Sequence, residues 1–167
     1  GTTIAKEFRE EYELGDEPVN LFEFCFQRNF YPLVIKGNQI EGALIILENY
    51  AIALITKSYI PRMHWTLAHE LGHLVMHRKQ SLVPDKEINL NNKNPEEITA
   101  NYFASEIIMP VEAFKKVIIK SNFDRLKEYC ISKEALKIKL DKLDALNVKL
   151  DRLKIEKIEE SYLIKIS

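Results

Sequence analysis

The stretch from Pro61 to His77 reads PRMHWTLAHELGHLVMH and has the pattern of a helix. Pro61 suits the first turn of a helix, and apolar residues then recur at helical spacing through the segment. The segment contains His69-Glu70-Leu71-Gly72-His73, in which the second histidine follows the first by four positions. Four residues are about one helical turn, so both imidazoles project from one face of the predicted helix.

The spacing His-Glu-x-x-His predicts a zinc site with peptide-hydrolysing chemistry. Two histidines one turn apart can bind one zinc ion, and the glutamate between them then lies beside the water that the metal activates. The chain has 4 histidines, and its composition would produce about 0.01 such motifs by accident. We therefore predict that His69 and His73 are metal ligands and that Glu70 is the catalytic base.

A catalytic zinc site also needs a third protein ligand and an open position. His77 lies on the same helix face as His69 and His73, but eight residues of helix span about 12 Å, too far for an ion held at about 2 Å. Metalloproteases that use a third histidine turn the chain at a glycine, whereas here the helical pattern continues. We expect His77 to cap the helix or to contact the metal ligands or the substrate.

The helix predicted after Pro95 offers a better third ligand, Glu97. Glu97 and Asn101 are spaced i, i+4, so the carboxylate can reach the metal while the amide one turn on holds a histidine or a water. Glu96 is the close rival. Glu106 follows Glu97 by nine residues, which is about 180° around the helix, and it is expected to face elsewhere.

The region before the motif predicts a small sheet. The segments Leu33–Lys36, Ala43–Leu47 and Tyr50–Thr56 are short, rich in Ile, Val and Leu, and separated by turn residues, which favours a three-stranded meander. Their continuous apolar runs predict that both faces of the sheet are covered.

Helical patterns flank the predicted sheet, so the sequence predicts an α+β fold. Residues 1–130 are expected to form one domain, and residues 131–167 a mainly helical C-terminal extension. Ser132 is a good cap for a Leu-rich helix in that extension. Beyond Asn147 both a helix and strands remain open.

Composition excludes several classes of protein. Leu, Ile, Val and Phe supply 54 of the 167 residues, far above the roughly 20% below which chains stay disordered. The 24 Lys and Arg residues nearly balance 25 Asp and Glu, for a net charge of −1, so no overall positive charge attracts nucleic acid or an anionic membrane. No apolar run approaches a membrane span, and the start lacks a signal-peptide pattern. We expect a cytoplasmic protein whose two cysteines are reduced.

Two blocks of the sequence together resemble the ImmA/IrrE metallopeptidases. Residues 62–73, RMHWTLAHELGH, match a Thr-Leu-Ala-His-Glu-Leu-Gly-His helix, and residues 97–110, EITANYFASEIIMP, match a Glu-x-x-Ala-Asn-x-Phe-Ala…Met-Pro helix. The resemblance covers roughly residues 18–120. It implies a small zincin-like fold, a site between two helices, and a zinc ion held by His69, His73 and Glu97 with Glu70 as the base.

The same resemblance implies a substrate, which is a helix-turn-helix transcriptional repressor of a phage, mobile element or stress regulon. The alternative is a metal-bound regulatory module that binds a repressor or an antitoxin-like partner without cutting it. A peptidase also needs a donor that stabilises the oxyanion of the tetrahedral intermediate. The sequence leaves four candidates for that donor: Tyr59, His64, His77 and Tyr102.

Overall fold

The computed structural model describes residues 2–37, 40–79, 94–146 and 149–162, and within them the fold is α+β. A three-stranded sheet is packed by helices, and further helices follow the paired helices of the site. In chain order the described elements are α1 (Thr2–Glu11), α2 (Leu21–Phe26), β1 (Phe30–Ile35), β2 (Gly42–Ile46), β3 (Ala51–Thr56), α3 (Ile60–Arg78), α4 (Pro95–Ile108), α5 (Val111–Ile119), α6 (Asp124–Glu128), α7 (Lys133–Ala145) and α8 (Arg152–Tyr162).

Helix α3 is the element on which the site is built. It begins where Pro61 predicts and runs for 19 residues, and it packs against α4 at Gly72. A Cβ atom on Gly72 would lie 3.0 Å from Phe103 Cδ1 and 3.3 Å from Ala100 Cα. The glycine inside the motif therefore allows α4 to approach α3 closely, and the two helices form the predicted pair.

The predicted three-stranded meander is wrong, because the observed strand order differs from the order along the chain. Strand β3 lies in the centre, parallel to β1 and antiparallel to β2, so the order is β1-β3-β2. The three apolar runs resemble one another, and nothing in such runs specifies which strand pairs with which. Packing against the helices decides the order, because β3 buries alternate side chains completely: Ala51, Ala53 and Ile55.

The second face of the sheet is only partly buried. Ile52 and Leu54 on β3 are half-buried, and Leu33, which pairs with Leu54, is 52% exposed. Ile45, which pairs with Ile52, is also exposed. The expectation that both faces are covered therefore does not hold for the described residues.

The described part of the C-terminal region contains two helices, α7 and α8. Ser132 caps α7 by accepting a hydrogen bond from the Ala135 N–H at 3.1 Å. Helix α8 occupies residues for which strands were the alternative. Leu143 on α7 and Ile158 on α8 belong to the same buried cluster as the core of the remaining chain, while the boundary at residue 130 stays a prediction.

The segment between α3 and α4 lies almost wholly in residues 80–93, which are outside the described residues. None of the described helices combines the length and the apolar character needed to cross a membrane.

Candidate active site

The first turn of α4 lies beside the middle of α3 and brings Glu97 to both motif histidines. Glu97 Oε2 is 2.8 Å from His69 Nε2, and Glu97 Oε1 is 2.8 Å from His73 Nε2. The two Nε2 atoms are 3.1 Å apart. One carboxylate from α4 and two imidazole nitrogens from α3 therefore converge on the same small space.

This arrangement fits a metal ion. His69, Glu70 and His73 offer ligand atoms that lie within 4.8 Å of one another, and Glu97 approaches both histidines more closely still. Ligand atoms about 2.0–2.1 Å from a tetrahedral ion are about 3.3 Å apart, close to the observed nitrogen separation. Glu70 Oε2 is buried without a hydrogen-bond partner, which is unfavourable unless something binds there.

Glu96 and Glu106 have other contacts. Glu96 Oε1 is 3.0 Å from His73 Nδ1, the ring nitrogen that does not face Glu97. Glu106 is buried and accepts a hydrogen bond from Lys139, so it faces away from the histidines, as the helical geometry predicts.

A cavity of about 290 Å³ opens onto His69 and Glu70 and is mostly polar in its lining. Sequence reasoning missed four of its lining residues. Trp65 and Thr66 precede His69 by four and three positions, so helical spacing was the signal that could have found them. No sequence signal indicated the other two missed residues, Glu41 and Gly42. The eight lining residues are Glu41, Gly42, Trp65, Thr66, His69, Glu70, Glu97 and Asn101.

Gly42, the first residue of β2, lets this strand form one wall of the cavity. A Cβ atom at Gly42 would lie 2.5 Å from Thr66 Cγ2 and 3.0 Å from the Leu54 carbonyl oxygen. The first contact would force β2 away from α3, and the second would force it away from β3. The missing side chain therefore allows the sheet to approach the helix beside Glu70, whose Cγ would be 3.7 Å away.

Burial dominates the electrostatics of the site. It raises the pKa of Glu70, with nearby Glu97 acting in the same direction and His73 against it. Burial lowers the pKa of His69, and Glu97 opposes that effect. Asn101 also interacts with His69 and raises its pKa, although His69 Nδ1 has no hydrogen bond of normal geometry.

The four candidate oxyanion donors all lie in the described part of the chain, and none lines this cavity. His64 is buried with Nδ1 3.0 Å from the Cys130 carbonyl oxygen, and burial lowers its pKa. Tyr59 and Tyr102 are largely exposed. His77 lies in the last turn of α3.

The thiol of Cys25 is buried in the core. Burial raises its pKa to about 12. A thiol that stays protonated near neutral pH has the character expected of a structural cysteine.

The paired helices, the two histidines one turn apart and the facing carboxylate together define a metallopeptidase-type site. The chain belongs to the Peptidase_M78 family, described as the IrrE N-terminal-like domain, whose model matches residues 43–141. This match includes β3, all of β2 except Gly42, both site helices and most of α7. No curated protein matches the chain. Membership in a peptidase family implies a protein substrate, and the resemblance inferred from the two motifs is confirmed.

Proposed function

We propose that this chain is a zinc-dependent endopeptidase of the cytoplasm that makes a site-specific cut in one regulatory protein. The observation that carries the proposal is the convergence of His69 Nε2, His73 Nε2 and the Glu97 carboxylate, with Glu70 beside them. Two nitrogens and one carboxylate are a usual ligand set of catalytic zinc.

In this proposal His69, His73 and Glu97 hold the metal and Glu70 moves the proton. A bound zinc ion would supply Lewis-acid activation of a water molecule and of the peptide carbonyl. Glu70 Oε2 has no internal hydrogen bond, so it is free to accept a proton from the attacking water and return it to the leaving amine. Burial raises the pKa of Glu70, which brings this carboxylate closer to the pH at which one group can both take and give a proton.

An extended segment of the substrate suits the open side of the cavity. Among the described strands, β2 pairs only with β3, so its other edge presents unpaired backbone groups. Glu41 and Gly42 place that strand at the cavity rim. A peptide that pairs with this edge would pass the histidines.

We propose a helix-turn-helix repressor of a phage, mobile element or stress regulon as the substrate. The support is the family resemblance together with the small size of the cavity, about 290 Å³. A site of this size fits recognition of one exposed segment better than general digestion.

The test compares the wild-type protein with Glu70→Gln. We expect about one zinc per chain in both proteins, because the substitution keeps the ligands. Turnover should fall by about 10²–10⁴-fold, because the proton carrier is lost. Glu112→Gln, the same change in the first turn of α5, is the matched control and should leave both quantities unchanged. Metal content is measured by elemental analysis, and cleavage by fragment masses.

The substrate is tested by incubating the protein with a repressor encoded beside it and, separately, with casein. We expect one cut in the repressor and almost none in casein. Rapid digestion of casein at many positions would contradict the specificity, and an intact repressor held in a stable complex would favour the non-cutting module. Equal turnover of wild type and Glu70→Gln would overturn the assigned mechanism.

A further inference from the structure

We infer that Glu96 is a positioning residue that fixes the orientation and the tautomer of His73. The consequence for zinc binding rests on the proposed function, whereas the contact between the two side chains does not. No motif in the sequence gives Glu96 this role, and its spacing alone made it a rival of Glu97 for the metal.

The contact fixes which nitrogen of His73 carries the proton. Glu96 Oε1 lies 3.0 Å from His73 Nδ1, and an ionised carboxylate can only accept a hydrogen bond. The Nδ1–H must then donate, so a neutral ring that binds a metal ion does so through the lone pair of Nε2. Nε2 is the nitrogen that faces Glu97 Oε1 at 2.8 Å and His69 Nε2 at 3.1 Å. While no ion is bound, the Glu97 carboxylate accepts a hydrogen bond from Nε2–H in the same way.

Two consecutive glutamates therefore hold one imidazole from opposite sides. Successive helical residues point about 100° apart, so neighbouring side chains at the start of α4 can reach different edges of the same ring. The backbone that presents them is itself fixed, because the Asn94 side chain accepts a hydrogen bond from the Glu96 N–H at 2.9 Å. The Glu96 side chain is also less exposed than that of Glu97, 35% against 52%.

The geometry also excludes Glu96 as a ligand in the same arrangement. The two nitrogens of an imidazole lie on opposite sides of the ring, so an oxygen hydrogen-bonded to Nδ1 cannot share an ion with Nε2. Carboxylates that orient ligating histidines in this way raise the basicity of the ring, and their loss typically weakens metal binding by about 10–100-fold.

His69 provides an internal comparison, because it lacks such a carboxylate. Its Nδ1 is buried without a hydrogen-bond partner, and the neutral amide of Asn101 is one of the side chains that interact with the ring. Removal of Glu96 should therefore change His73 and leave His69 unaffected. A general loosening of the helix pair would alter both rings.

The first test measures the tautomers directly in metal-free protein that carries Glu97→Ala, because the Glu97 carboxylate would otherwise hold a proton on Nε2. Imidazole nitrogen-15 shifts are recorded in this background with Glu96 intact and with Glu96→Ala, Glu96→Gln and the control Glu112→Ala. We expect a proton fixed on His73 Nδ1 where Glu96 is intact, and a mixture of tautomers in Glu96→Ala. Glu96→Gln should keep the tautomer found with Glu96 intact, because its amide oxygen still accepts from Nδ1–H. The His69 signals should not move in any variant.

The second test measures zinc affinity by competition with a chelator in wild type, Glu96→Ala, Glu96→Gln and Glu112→Ala, all with Glu97 intact. We expect a loss of about 10–100-fold in Glu96→Ala, a smaller loss in Glu96→Gln and none in Glu112→Ala. Glu112 also lies in the first turn of a helix, so this control removes any general effect of charge at a helix start.

Three results would overturn the inference. In the Glu97→Ala background, the His73 tautomer could be the same with Glu96→Ala as with Glu96 intact. The Glu112→Ala variant could lose as much zinc affinity as Glu96→Ala. Zinc binding could vanish in Glu96→Ala as completely as in Glu97→Ala, which would make Glu96 a ligand. If the wild-type protein bound no zinc, the proposed function would fail, and the tautomer experiment would still decide the role of Glu96.

Discussion

Helix α4 carries a carboxylate on each of two opposite sides, and the surroundings of the two groups differ completely. Glu97 near its start belongs to what we call the open cluster, beside a cavity. Glu106 near its end belongs to what we call the closed cluster, inside the core. The open cluster comprises His69, Glu70, His73 and Glu97, and the closed cluster comprises Arg9, Glu106 and Lys139.

In the closed cluster the chain satisfies its own charges. Lys139 is 1% exposed and donates to Glu106 Oε1. Glu106 Oε2 accepts from the Val111 N–H at 3.4 Å. Arg9 donates through Nε to the Glu106 carbonyl oxygen at 3.1 Å and through Nη2 to that of Ile107 at 2.6 Å. Helices α1, α4, α5 and α7 are thereby tied together.

In the open cluster comparable groups remain only partly satisfied. Glu70 Oε2 is buried with no partner, and two imidazole nitrogens approach to 3.1 Å. A buried carboxylate is therefore a structural element where a cation of the chain faces it, and part of a candidate site where none does. The difference depends on what the fold places opposite each glutamate.

The same substitution in the two clusters gives the largest expected contrast. Glu106→Gln leaves the ammonium group of Lys139 buried without its counter-charge and should lower the free energy of unfolding by about 3–5 kcal/mol. Glu97→Gln in metal-free protein should change it by less than about 1 kcal/mol, because Glu97 is half-exposed. Urea denaturation in the presence of a chelator measures both values.

A second substitution checks the cause of that contrast. In the double variant Glu106→Gln with Lys139→Met, the unpaired charge is gone, so the loss should be smaller than in Glu106→Gln alone. Equal losses in Glu106→Gln and Glu97→Gln would show that the two clusters do not differ in the way described.

A medium effect is expected at the wall of the open cluster. Gly42→Ala places a methyl group against Thr66 Cγ2 and should cost about 1–3 kcal/mol of unfolding free energy. Adding Thr66→Ser removes that methyl but keeps the hydroxyl that donates to the Arg62 carbonyl oxygen at 3.0 Å. The double variant Gly42→Ala with Thr66→Ser should therefore be more stable than Gly42→Ala alone. Thermal unfolding of the wild type, Gly42→Ala and the double variant measures this difference. Equal stability of Gly42→Ala and the double variant would contradict the explanation.

The last expected effect is the gradual pH dependence of the closed cluster. Burial lowers the pKa of Lys139 from 10.5 to about 8, against the raising effect of Glu106. Below pH 8 both folded and unfolded chains hold this proton, and the full cost of burial is present. Between about pH 8 and 10.5 the unfolded chain holds more protons, so stability rises with pH by up to about 1.4 kcal/mol per unit.

This pH effect is measured as a difference between two proteins. The free energy of unfolding of wild type, relative to the double variant Glu106→Gln with Lys139→Met, should increase from pH 7.5 to pH 9.5. A difference that stays constant over this interval would mean that Lys139 does not titrate there.

Much of the site was predictable because it depends on local periodicity. The spacing of His69 and His73 requires only a helix, and the nine residues between Glu97 and Glu106 place them on opposite sides of another helix. Glu97 itself was preferred over Glu96 from its relation to Asn101 and from the family resemblance. The structure brings Glu97 to the two Nε2 atoms and Glu96 to the opposite ring nitrogen.

Other features could not be predicted because they join residues that are distant in sequence. The partner of Glu106 is 33 residues away on α7, and many lysines of the chain carry the same charge as Lys139. The central place of β3 depends on the fit of Ala51, Ala53 and Ile55 under the helices. The amino-acid composition of the strands does not predict how they pack against the helices.

The sequence by itself indicated a candidate metal site, because His69 and His73 lie one turn apart on a single helix. It also determined that Gly72 and Gly42 carry no side chain. Only the tertiary structure decided where the absence of a side chain matters, because close approach involves a second element. In the same way it decided which glutamate meets a lysine and which meets two histidines, since through-space neighbours depend on how the helices pack.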